Sequence, residues 1–219
     1  MLIFAHRGAT DRWPENSVAA FTEARRLGAD GVELDVRRSA DGALVVHHDP
    51  EIPGVGPVGD LRVRDLPTGV PLLDEALDAC QGMVVNVEIK SDGGDVLPRA
   101  VAAALADRRA DSVVVSSFDR VCLDAARSAD PALGVAWLTG WGTDLRSLLA
   151  DATRAGYEGI HPFYPSVDAE LVGEALAAGV AVRPWTVNEP ADLRAMANYG
   201  VDAVITDRPV DALAVVRGE

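Results

Sequence analysis

The sequence predicts an α/β protein with a (β/α)8 TIM-barrel fold, and two observations support that prediction. Eight short runs rich in β-branched residues alternate with eight runs rich in alanine, leucine and arginine along the 219 residues. The stretch after the first strand, HRGATDRWPENS, lacks the glycine spacings that hold phosphates in open, doubly wound sheets. At this length the barrel is expected to be a lean one.

Each predicted strand is followed by a predicted helix. The strands are expected at 2–6, 31–36, 83–89, 112–116, 133–138, 158–161, 180–185 and 202–206. The helices are expected at 17–28, 73–80, 95–109, 119–129, 144–155, 168–178, 190–199 and 209–217. Asn16 or Ser17, Asp119 and Asp168 can cap helix starts, and glycines at 28, 156, 179 and 200 suit helix ends.

One segment, 37–72, interrupts the regular alternation. It begins with a probable hairpin, in which SADG turns and ALVVHHD continues, and ends in a Pro/Gly-rich loop. Loops of this length inside a compact domain are usually functional. In a barrel this insertion after the second strand lies on the carboxyl-terminal face, where active sites are found.

Composition narrows the functional class. The chain, 1–219, has 48% hydrophobic residues and no linker or low-complexity tract, so we expect a single domain. Its net charge of −14 argues against binding to nucleic acid and to anionic membrane surfaces. The chain shows neither a signal-peptide pattern nor an apolar run long enough to insert stably in a membrane, which predicts a soluble, cytoplasmic protein. The oligomeric state is left open.

Acidic side chains alternate with apolar ones in two of the strands. Glu33 and Asp35 share one face of the second strand, and Glu88 and Lys90 share one face of the third. Because the apolar face of a barrel strand packs on the helices, these four side chains are expected to point into the barrel. Lys90 is the only lysine of the chain, and the other 19 basic residues are arginines.

The expected carboxylate cluster requires a partner with positive charge. Three unpaired carboxylates in a partly buried barrel mouth would cost several kcal/mol each. One divalent cation can balance Glu33, Asp35 and Glu88, and oxygen ligands of this kind favour Mg²⁺ or Ca²⁺ over Zn²⁺. The alternative is an internal salt-bridge network with Lys90 and Arg37.

Histidines stand at the ends of predicted strands and in the long insertion. His6 and Arg7 end the first strand, and Gly8 is expected to let a ligand approach the backbone. His47 and His48 lie in the insertion, and His161 ends the sixth strand on the same expected side. Two histidines beside an arginine and a metal-carboxylate cluster suit acid–base cleavage of a phosphodiester.

At these residues the sequence resembles the glycerophosphodiester phosphodiesterase family. The matching stretches begin with AHRGATDRWPENSVAAFTEARRLGADGVELDVRRSADGALVVHHD and continue with NVEIK, VVVSSFD, PWTVN and YGVDAVITDRP. They lie within residues 3–209 in the family's order, and the family is a (β/α)8 barrel. Between them, PEIPGVGPVGDLRVRDL replaces the Leu-x-Arg-Thr-Thr segment of many members, which leaves the substrate open.

The resemblance implies a role for each matching residue. It makes His6 and His48 the catalytic pair and places no constraint on His47. It implies metal ligands at Glu33, Asp35 and Glu88, phosphate contacts at Arg7 and Lys90, an alcohol-pocket aromatic at Trp185, and support of the first loop and helix by Glu15 and Asn16.

The implied activity is metal-dependent hydrolysis of a small glycerophosphodiester to sn-glycerol 3-phosphate and an alcohol. Attack by the glycerol 2-hydroxyl and attack by water would use the same residues. One alternative is a sphingomyelinase-D-like lyase that stops at a cyclic phosphate. A second is an aldolase-type barrel with Lys90 as a Schiff-base nucleophile, which is disfavoured because acidic neighbours favour the protonated amine.

Overall fold

The computed structural model of the protein describes residues 1–106, 108 and 112–218. Its strands are β1 (Leu2–His6), β2 (Gly31–Arg38), β3 (Leu44–Val46), β4 (Glu51–Ile52), β5 (Gly56–Pro57), β6 (Val84–Ile89), β7 (Val113–Ser117), β8 (Gly134–Thr139), β9 (Gly159–Pro162), β10 (Ala181–Val182) and β11 (Ala203–Thr206). Its helices are α1 (Val18–Leu27), α2 (Leu73–Ala79), α3 (Val96–Ala106), α4 (Arg120–Ala129), α5 (Leu145–Ala155), α6 (Ala169–Ala178), α7 (Pro190–Tyr199) and α8 (Pro209–Arg217).

Eight of the described strands form a barrel in the order β10-β9-β8-β7-β6-β2-β1-β11. Neighbours along this order pair in parallel. β10 and β11 close the ring through backbone hydrogen bonds, in which the amides of Asp202 and Ile205 donate to the carbonyls of Val182 and Pro184 at 3.0 Å each. The predicted (β/α)8 barrel is therefore confirmed.

Two apolar layers surround the strands. Outward-facing residues such as Val32, Leu34 and Val87 are fully buried under the helices. Inside the barrel a smaller cluster of Phe4, Ala203 and Ile205 packs against Val84 and Trp185. Close packing there requires a glycine at 31, since a Cβ at that position would lie 2.6 Å from the Phe4 ring.

The helices begin and end largely as their sequences predict. Ser17, Asp119 and Asp168 accept hydrogen bonds from the backbone amide of the second or third residue of α1, α4 and α6. The glycines expected at helix ends adopt left-handed backbone, with φ from 68° to 84°: Gly28, Gly156, Gly179 and Gly200. The prediction of a helix over 95–109 extends to residues 107 and 109, which lie outside the described residues. None of the described helices is long and apolar enough to cross a membrane.

The insertion after β2 contains the expected hairpin. β3 pairs antiparallel with the end of β2, in a register that places Val36 opposite Val46. A second, two-stranded ladder of β4 and β5 was not expected and folds the Pro/Gly-rich loop back on itself. Val45, Ile52 and Val58 form a separate apolar cluster beneath it. This packing holds the segment 47–49 beside the barrel mouth.

The strand predicted over 180–185 is shorter than expected. Regular pairing covers only Ala181 and Val182, in β10. Pro184 has no amide hydrogen, so it cannot donate to a neighbouring strand. Its carbonyl nevertheless accepts from Ile205, which keeps the following Trp185 at the barrel mouth.

Candidate active site

Three carboxylates meet inside the barrel at its carboxyl-terminal end. Glu33 and Asp35 project from β2, and Glu88 projects from β6 directly opposite Asp35 in the strand register. All three are buried, and one oxygen from each lies within 4.8 Å of the others. The alternation of side chains along the two strands thus produces the cluster that the sequence predicted.

Lys90 and Arg7 contact this cluster from two sides. The Lys90 ammonium lies 2.8 Å from Asp35 Oδ1 and 2.5 Å from Glu88 Oε1. Arg7 Nε lies 3.3 Å from Asp35 Oδ2, and the Arg7 backbone amide donates to Glu33 Oε2 at 3.2 Å. The salt-bridge network that was the alternative to a metal therefore exists in part, since Lys90 pairs with Asp35 and Glu88. Arg37 is not part of it and donates to the His48 carbonyl instead.

Burial and charge set the ionisation of the cluster. Burial, together with repulsion from Asp35 and Glu88, raises the pKa of Glu33 well above its ordinary value. Burial also raises the pKa of Glu88 despite the nearby Lys90. Burial opposes the charged form of Asp35, but Lys90 and Arg7 outweigh it and lower the pKa of Asp35. The same carboxylates raise the pKa of Lys90 against the effect of its own burial, so its amine stays protonated.

His6 stands at the end of β1 between two acidic groups. Its Nδ1 lies 2.6 Å from Asp207 Oδ1, and its Nε2 lies 3.8 Å from Glu33 Oε2. The hydrogen bond from His6 lowers the pKa of Asp207. The ionised carboxylate therefore accepts a hydrogen bond from the Nδ1–H group of His6. Asn188 holds the other Asp207 oxygen at 2.8 Å. This arrangement turns Nε2 of His6 toward the cavity.

The two histidines of the insertion face different surroundings. His48 lines the cavity, and its Nδ1 lies 2.8 Å from Asp49 Oδ1. Arg37 donates from Nε and Nη2 to the His48 carbonyl, at 2.9 and 2.6 Å, and so fixes the backbone of that residue. Burial lowers the pKa of His48, which favours the neutral imidazole. His47 instead contacts the Glu51 carbonyl at 3.2 Å.

The loop after β1 is held in an unusual backbone conformation. Arg7 and Asn16 have φ of 56° and 55°, which non-glycine residues rarely adopt. Asn16 does not cap α1; its amide donates to Asp35 Oδ2 at 2.7 Å, and its Oδ1 accepts from the Asp35 backbone at 3.2 Å. Glu15 binds Arg7 Nη1 at 3.0 Å. Asn16 therefore braces Asp35 of the carboxylate cluster, and Glu15 braces Arg7, which lines the cavity.

Gly8 serves a different purpose from the one expected. A Cβ there would lie 2.7 Å from the Ala20 Cβ on α1, and φ is 92°. The glycine thus allows close packing of helix on loop rather than access for a ligand. The sequence predicted that His161 lies on the same side as the other histidines. It is instead fully buried beside Arg183 and is not among the residues that line the cavity.

The cavity has a charged half and an apolar half. Its volume is about 200 Å³, and its polar lining consists of His6, Arg7, Glu33, His48, Glu88 and Lys90. Facing these groups are Phe118, Leu138, Trp185 and Ile205. Trp185 is fixed by a 2.9 Å hydrogen bond from its indole nitrogen to the His161 carbonyl. Such a site can bind an anion, supply two imidazoles for proton transfer and pack an apolar group on the opposite side.

Four residues that shape the site were not assigned these roles from the sequence. Asp207, Arg37 and Asp49 orient the two histidines, and Phe118 completes the apolar wall. Asp207 directly follows β11 in VITDRP and Phe118 directly follows β7 in SSFD, and a polar or aromatic residue directly after a barrel strand is a signal that could have identified both.

The fold and this cavity define a (β/α)8-barrel enzyme with its candidate catalytic groups at the carboxyl-terminal face of the barrel. The sequence profile of the glycerophosphoryl diester phosphodiesterase family matches residues 6–211. A glycerophosphodiester phosphodiesterase from Caldanaerobacter subterraneus subsp. tengcongensis is 34% identical, over 99% of this chain and 98% of that protein. The chain belongs to the glycerophosphoryl diester phosphodiesterase family.

Solved structures agree with this assignment. A putative glycerophosphoryl diester phosphodiesterase from Silicibacter pomeroyi superimposes with a TM-score of 0.90 at 27% identity, covering 100% of this chain and 93% of that one. A phosphodiesterase from Oleispira antarctica, solved with the product sn-glycerol-3-phosphate, shares the fold with a TM-score of 0.91 at 24% identity, covering 99% of this chain and 97% of that one.

Proposed function

We propose that this protein hydrolyses small glycerophosphodiesters to sn-glycerol 3-phosphate and an alcohol, using His6 and His48 as the acid–base pair. The observation that carries the proposal is the convergence of both imidazoles, Arg7, Lys90 and a buried carboxylate cluster on one cavity. The family assignment and the name of the Caldanaerobacter relative support it.

Glu33, Asp35 and Glu88 fit a divalent cation, and we propose that they hold Mg²⁺ or Ca²⁺. Three buried carboxylates offer oxygen ligands within 4.8 Å of one another, a donor set that suits hard cations. Glu33 Oε1 is buried and, among the described residues, has no hydrogen-bond partner. Lys90 and Arg7 balance only two of the three negative charges. When bound, the cation would supply Lewis-acid stabilisation of charge on the phosphate oxygens.

The two histidines divide the proton transfers. One accepts the proton of the nucleophile, water or the substrate's own 2-hydroxyl, and the other donates a proton to the leaving oxygen. His6 and His48 each expose Nε2 because Asp207 and Asp49 engage their Nδ1 atoms. General acid–base catalysis of this kind contributes about two to four orders of magnitude in rate.

Arg7 and Lys90 bind and orient the phosphate in this proposal. Arg7 stays charged and presents a planar fork that matches phosphate oxygens. Lys90 is a compact cation whose raised pKa keeps it protonated beside Asp35 and Glu88. The same protonation disfavours Lys90 as a Schiff-base nucleophile, and borohydride trapping of a carbonyl substrate should therefore fail.

An activity panel tests the proposal directly. After treatment with EDTA, the protein is assayed on glycerophosphocholine, -ethanolamine, -glycerol and -inositol with added Mg²⁺ or Ca²⁺. We expect chelator-sensitive release of sn-glycerol 3-phosphate, restored by one of the two metals. Phosphorus NMR distinguishes the monoester from a cyclic phosphate, and a cyclic end product would support the lyase alternative. No consumption of any diester with either metal would contradict the proposal.

Substituting Lys90 by arginine tests the need for a compact cation. We expect kcat/KM to fall about tenfold to a hundredfold in Lys90→Arg, the usual effect of disturbing a partner of metal-binding carboxylates. The reason is that a longer, planar guanidinium does not fit between Asp35 and Glu88, where the ammonium contacts both. Steady-state kinetics on Lys90→Arg and on the uncharged Lys90→Met give the comparison, and full activity in Lys90→Arg would refute the expectation.

A further inference from the structure

Polar side chains lie inside the barrel directly beneath the carboxylate cluster. Alternation along the strands turns three of them toward the barrel axis: Asn86 on β6, Ser116 on β7 and His161 on β9. Each of the three has 0% exposure. Branched apolar residues usually fill the interior of such a barrel, so three polar residues are an unusual filling. We refer to Asn86, Ser116 and His161 as the polar floor.

The strand register places the polar floor against the carboxylates. Asn86 lies opposite Glu33 on the neighbouring strand, and Ser116 lies opposite Glu88. In a (β/α)8 barrel the inward side chains of alternate strands meet in one layer at the axis. Counted along the register, Ser116 and His161 fall in the layer of Glu33, and Asn86 falls in the layer below it. None of the three lines the catalytic cavity.

The side-chain polar atoms of the polar floor have no partner among the described residues. Both amide atoms of Asn86, the Ser116 hydroxyl and Nδ1 of His161 are buried without a hydrogen bond. Glu33 Oε1, next to them, is buried in the same way. Buried polar side chains nearly always have a partner, either protein or ordered water. A group of such atoms in one part of the barrel therefore indicates a ligand between them.

The chemistry of these atoms identifies the ligand as water. Arg183 Nη1 lies 3.4 Å from His161 Nε2, and because a guanidinium can only donate, Nε2 accepts and Nδ1 carries the proton. Burial, and then the charge of Arg183, lower the pKa of His161 well below its ordinary value, which keeps the imidazole neutral. A cation would satisfy only the oxygens of the polar floor and an anion only its N–H groups, whereas water both donates and accepts.

Small side chains leave space for water beside the polar floor. Ala136 on β8 stands opposite Ser116, and Gly159 on β9 stands opposite Ala136. The Arg183 guanidinium fills the space over Gly159, where a Cβ would lie 3.3 Å from its Nη1. Arg183 also donates to Glu158, directly before β9, at 2.6 Å. This ion pair closes the barrel on the side away from the carboxylates.

We propose that the polar floor binds ordered water, and that this water supports Glu33 and Glu88 from below. Water accepts from the His161 N–H and the Asn86 amide, and it donates to the Asn86 oxygen and to Glu33. The support of the carboxylates rests on the proposed function, because Glu33 and Glu88 are proposed metal ligands. Carboxylates that bind a metal depend on outer hydrogen bonds of this kind for their orientation. Asn86, Ser116 and His161 are accordingly positioning residues.

A crystal structure of the protein grown with Mg²⁺ or Ca²⁺ tests for the water directly. We expect ordered water within about 2.7–3.2 Å of Asn86, Ser116 and His161 Nδ1, the usual hydrogen-bond range. Magnetic relaxation dispersion of the solvent counts long-lived internal waters in solution, and the count should fall in Asn86→Leu. A polar floor without ordered water in the crystal, or an unchanged count in Asn86→Leu, overturns the proposal.

Metal affinity tests the support of the carboxylates. We expect Ser116→Ala and Asn86→Leu to weaken binding of Mg²⁺ or Ca²⁺ about tenfold in isothermal titration, as loss of an outer partner usually does. Because the ligands themselves remain, kcat at saturating metal should return to within a few-fold of the unmodified protein. Unchanged affinity in both variants overturns this role.

Thr139→Val is the matched control for these titrations. The Thr139 hydroxyl is also buried without a partner among the described residues. Thr139 directly follows Leu138, which lines the cavity, so alternation along β8 places Thr139 on the opposite, outward face. Its loss should leave metal affinity unchanged. An equal loss of affinity in Thr139→Val and Ser116→Ala would show a general effect of removing a buried hydroxyl, and would overturn the role of the polar floor.

Thermal unfolding distinguishes bound water from polar atoms that are truly unpaired. Removing an amide that has no partner relieves the cost of burying it, so Asn86→Leu would then raise Tm. Removing an amide that binds water deprives its neighbours of their partner, and we expect a lower Tm. A higher Tm in Asn86→Leu overturns the proposal. If the unmodified protein binds neither metal, the proposed function and the support of the carboxylates both fail, while the water count and Tm still decide the water site.

Discussion

Replacing His48 by alanine is expected to lower kcat by about two to four orders of magnitude, the usual contribution of a general acid or base. His48 lines the cavity, its imidazole contacts Asp49, and Arg37 holds its carbonyl in place. Steady-state kinetics on glycerophosphocholine, measured alongside thermal unfolding of the same variant, separate loss of catalysis from loss of fold.

The adjacent histidine provides the control for this experiment. His47→Ala removes an imidazole from the same segment, but His47 contacts the Glu51 carbonyl and does not line the cavity. Its kcat should stay within a few-fold of the unmodified protein, since exposed positions away from the site usually change little. A severe loss in His47→Ala together with an active His48→Ala would reverse our assignment.

Glu33→Gln and Glu88→Gln are expected to weaken metal binding and activity together. Each change removes one carboxylate from the three proposed ligands, and hard cations depend on charged oxygen ligands. Isothermal titration with Mg²⁺ and Ca²⁺ measures the affinity, and rates at increasing metal concentration show whether excess metal restores activity. The exposed Glu170→Gln serves as a control for the loss of one carboxylate.

Thermal unfolding adds a readout that does not depend on activity. Metal that binds only the folded protein raises Tm by mass action, so the metal-induced increase should shrink in Glu33→Gln and Glu88→Gln. Without metal, Glu33→Gln should be at least as stable as the unmodified protein, because a buried carboxylate is costly and burial already raises the pKa of Glu33. Loss of activity with unchanged metal affinity would show that these residues are not ligands.

The sequence predicted best what depends on strand periodicity. Glu33 and Asp35 had to share a face because side chains alternate along a strand, and the parallel register then placed Glu88 beside them. The carboxylate cluster is a consequence of this alternation, whereas the order of the barrel strands follows from the regular succession of strands and helices along the chain. β10 is shorter than predicted, and Pro184, which has no amide hydrogen to donate to a neighbouring strand, lies in the part that is lost.

Contacts made by loops were not predictable in the same way. The Arg37 guanidinium could reach either the carboxylates or the insertion, and only the packing of β3 against β2 decides that it binds the His48 carbonyl. Similarly, the rings of Trp141 and Phe163 meet because two loops far apart in sequence have compatible lengths. No periodic pattern encodes such distances, so they required the folded structure.

The hydrogen bond between His6 and Asp207 joins residues that are 201 positions apart. β1, which carries His6, is synthesised before the other barrel strands, and β11, which precedes Asp207, is synthesised after them. A nascent or misassembled chain in which β11 has not yet docked on β1 therefore lacks the group that orients His6. If His6 acts as proposed, turnover of substrate therefore reports that β11 has docked on β1.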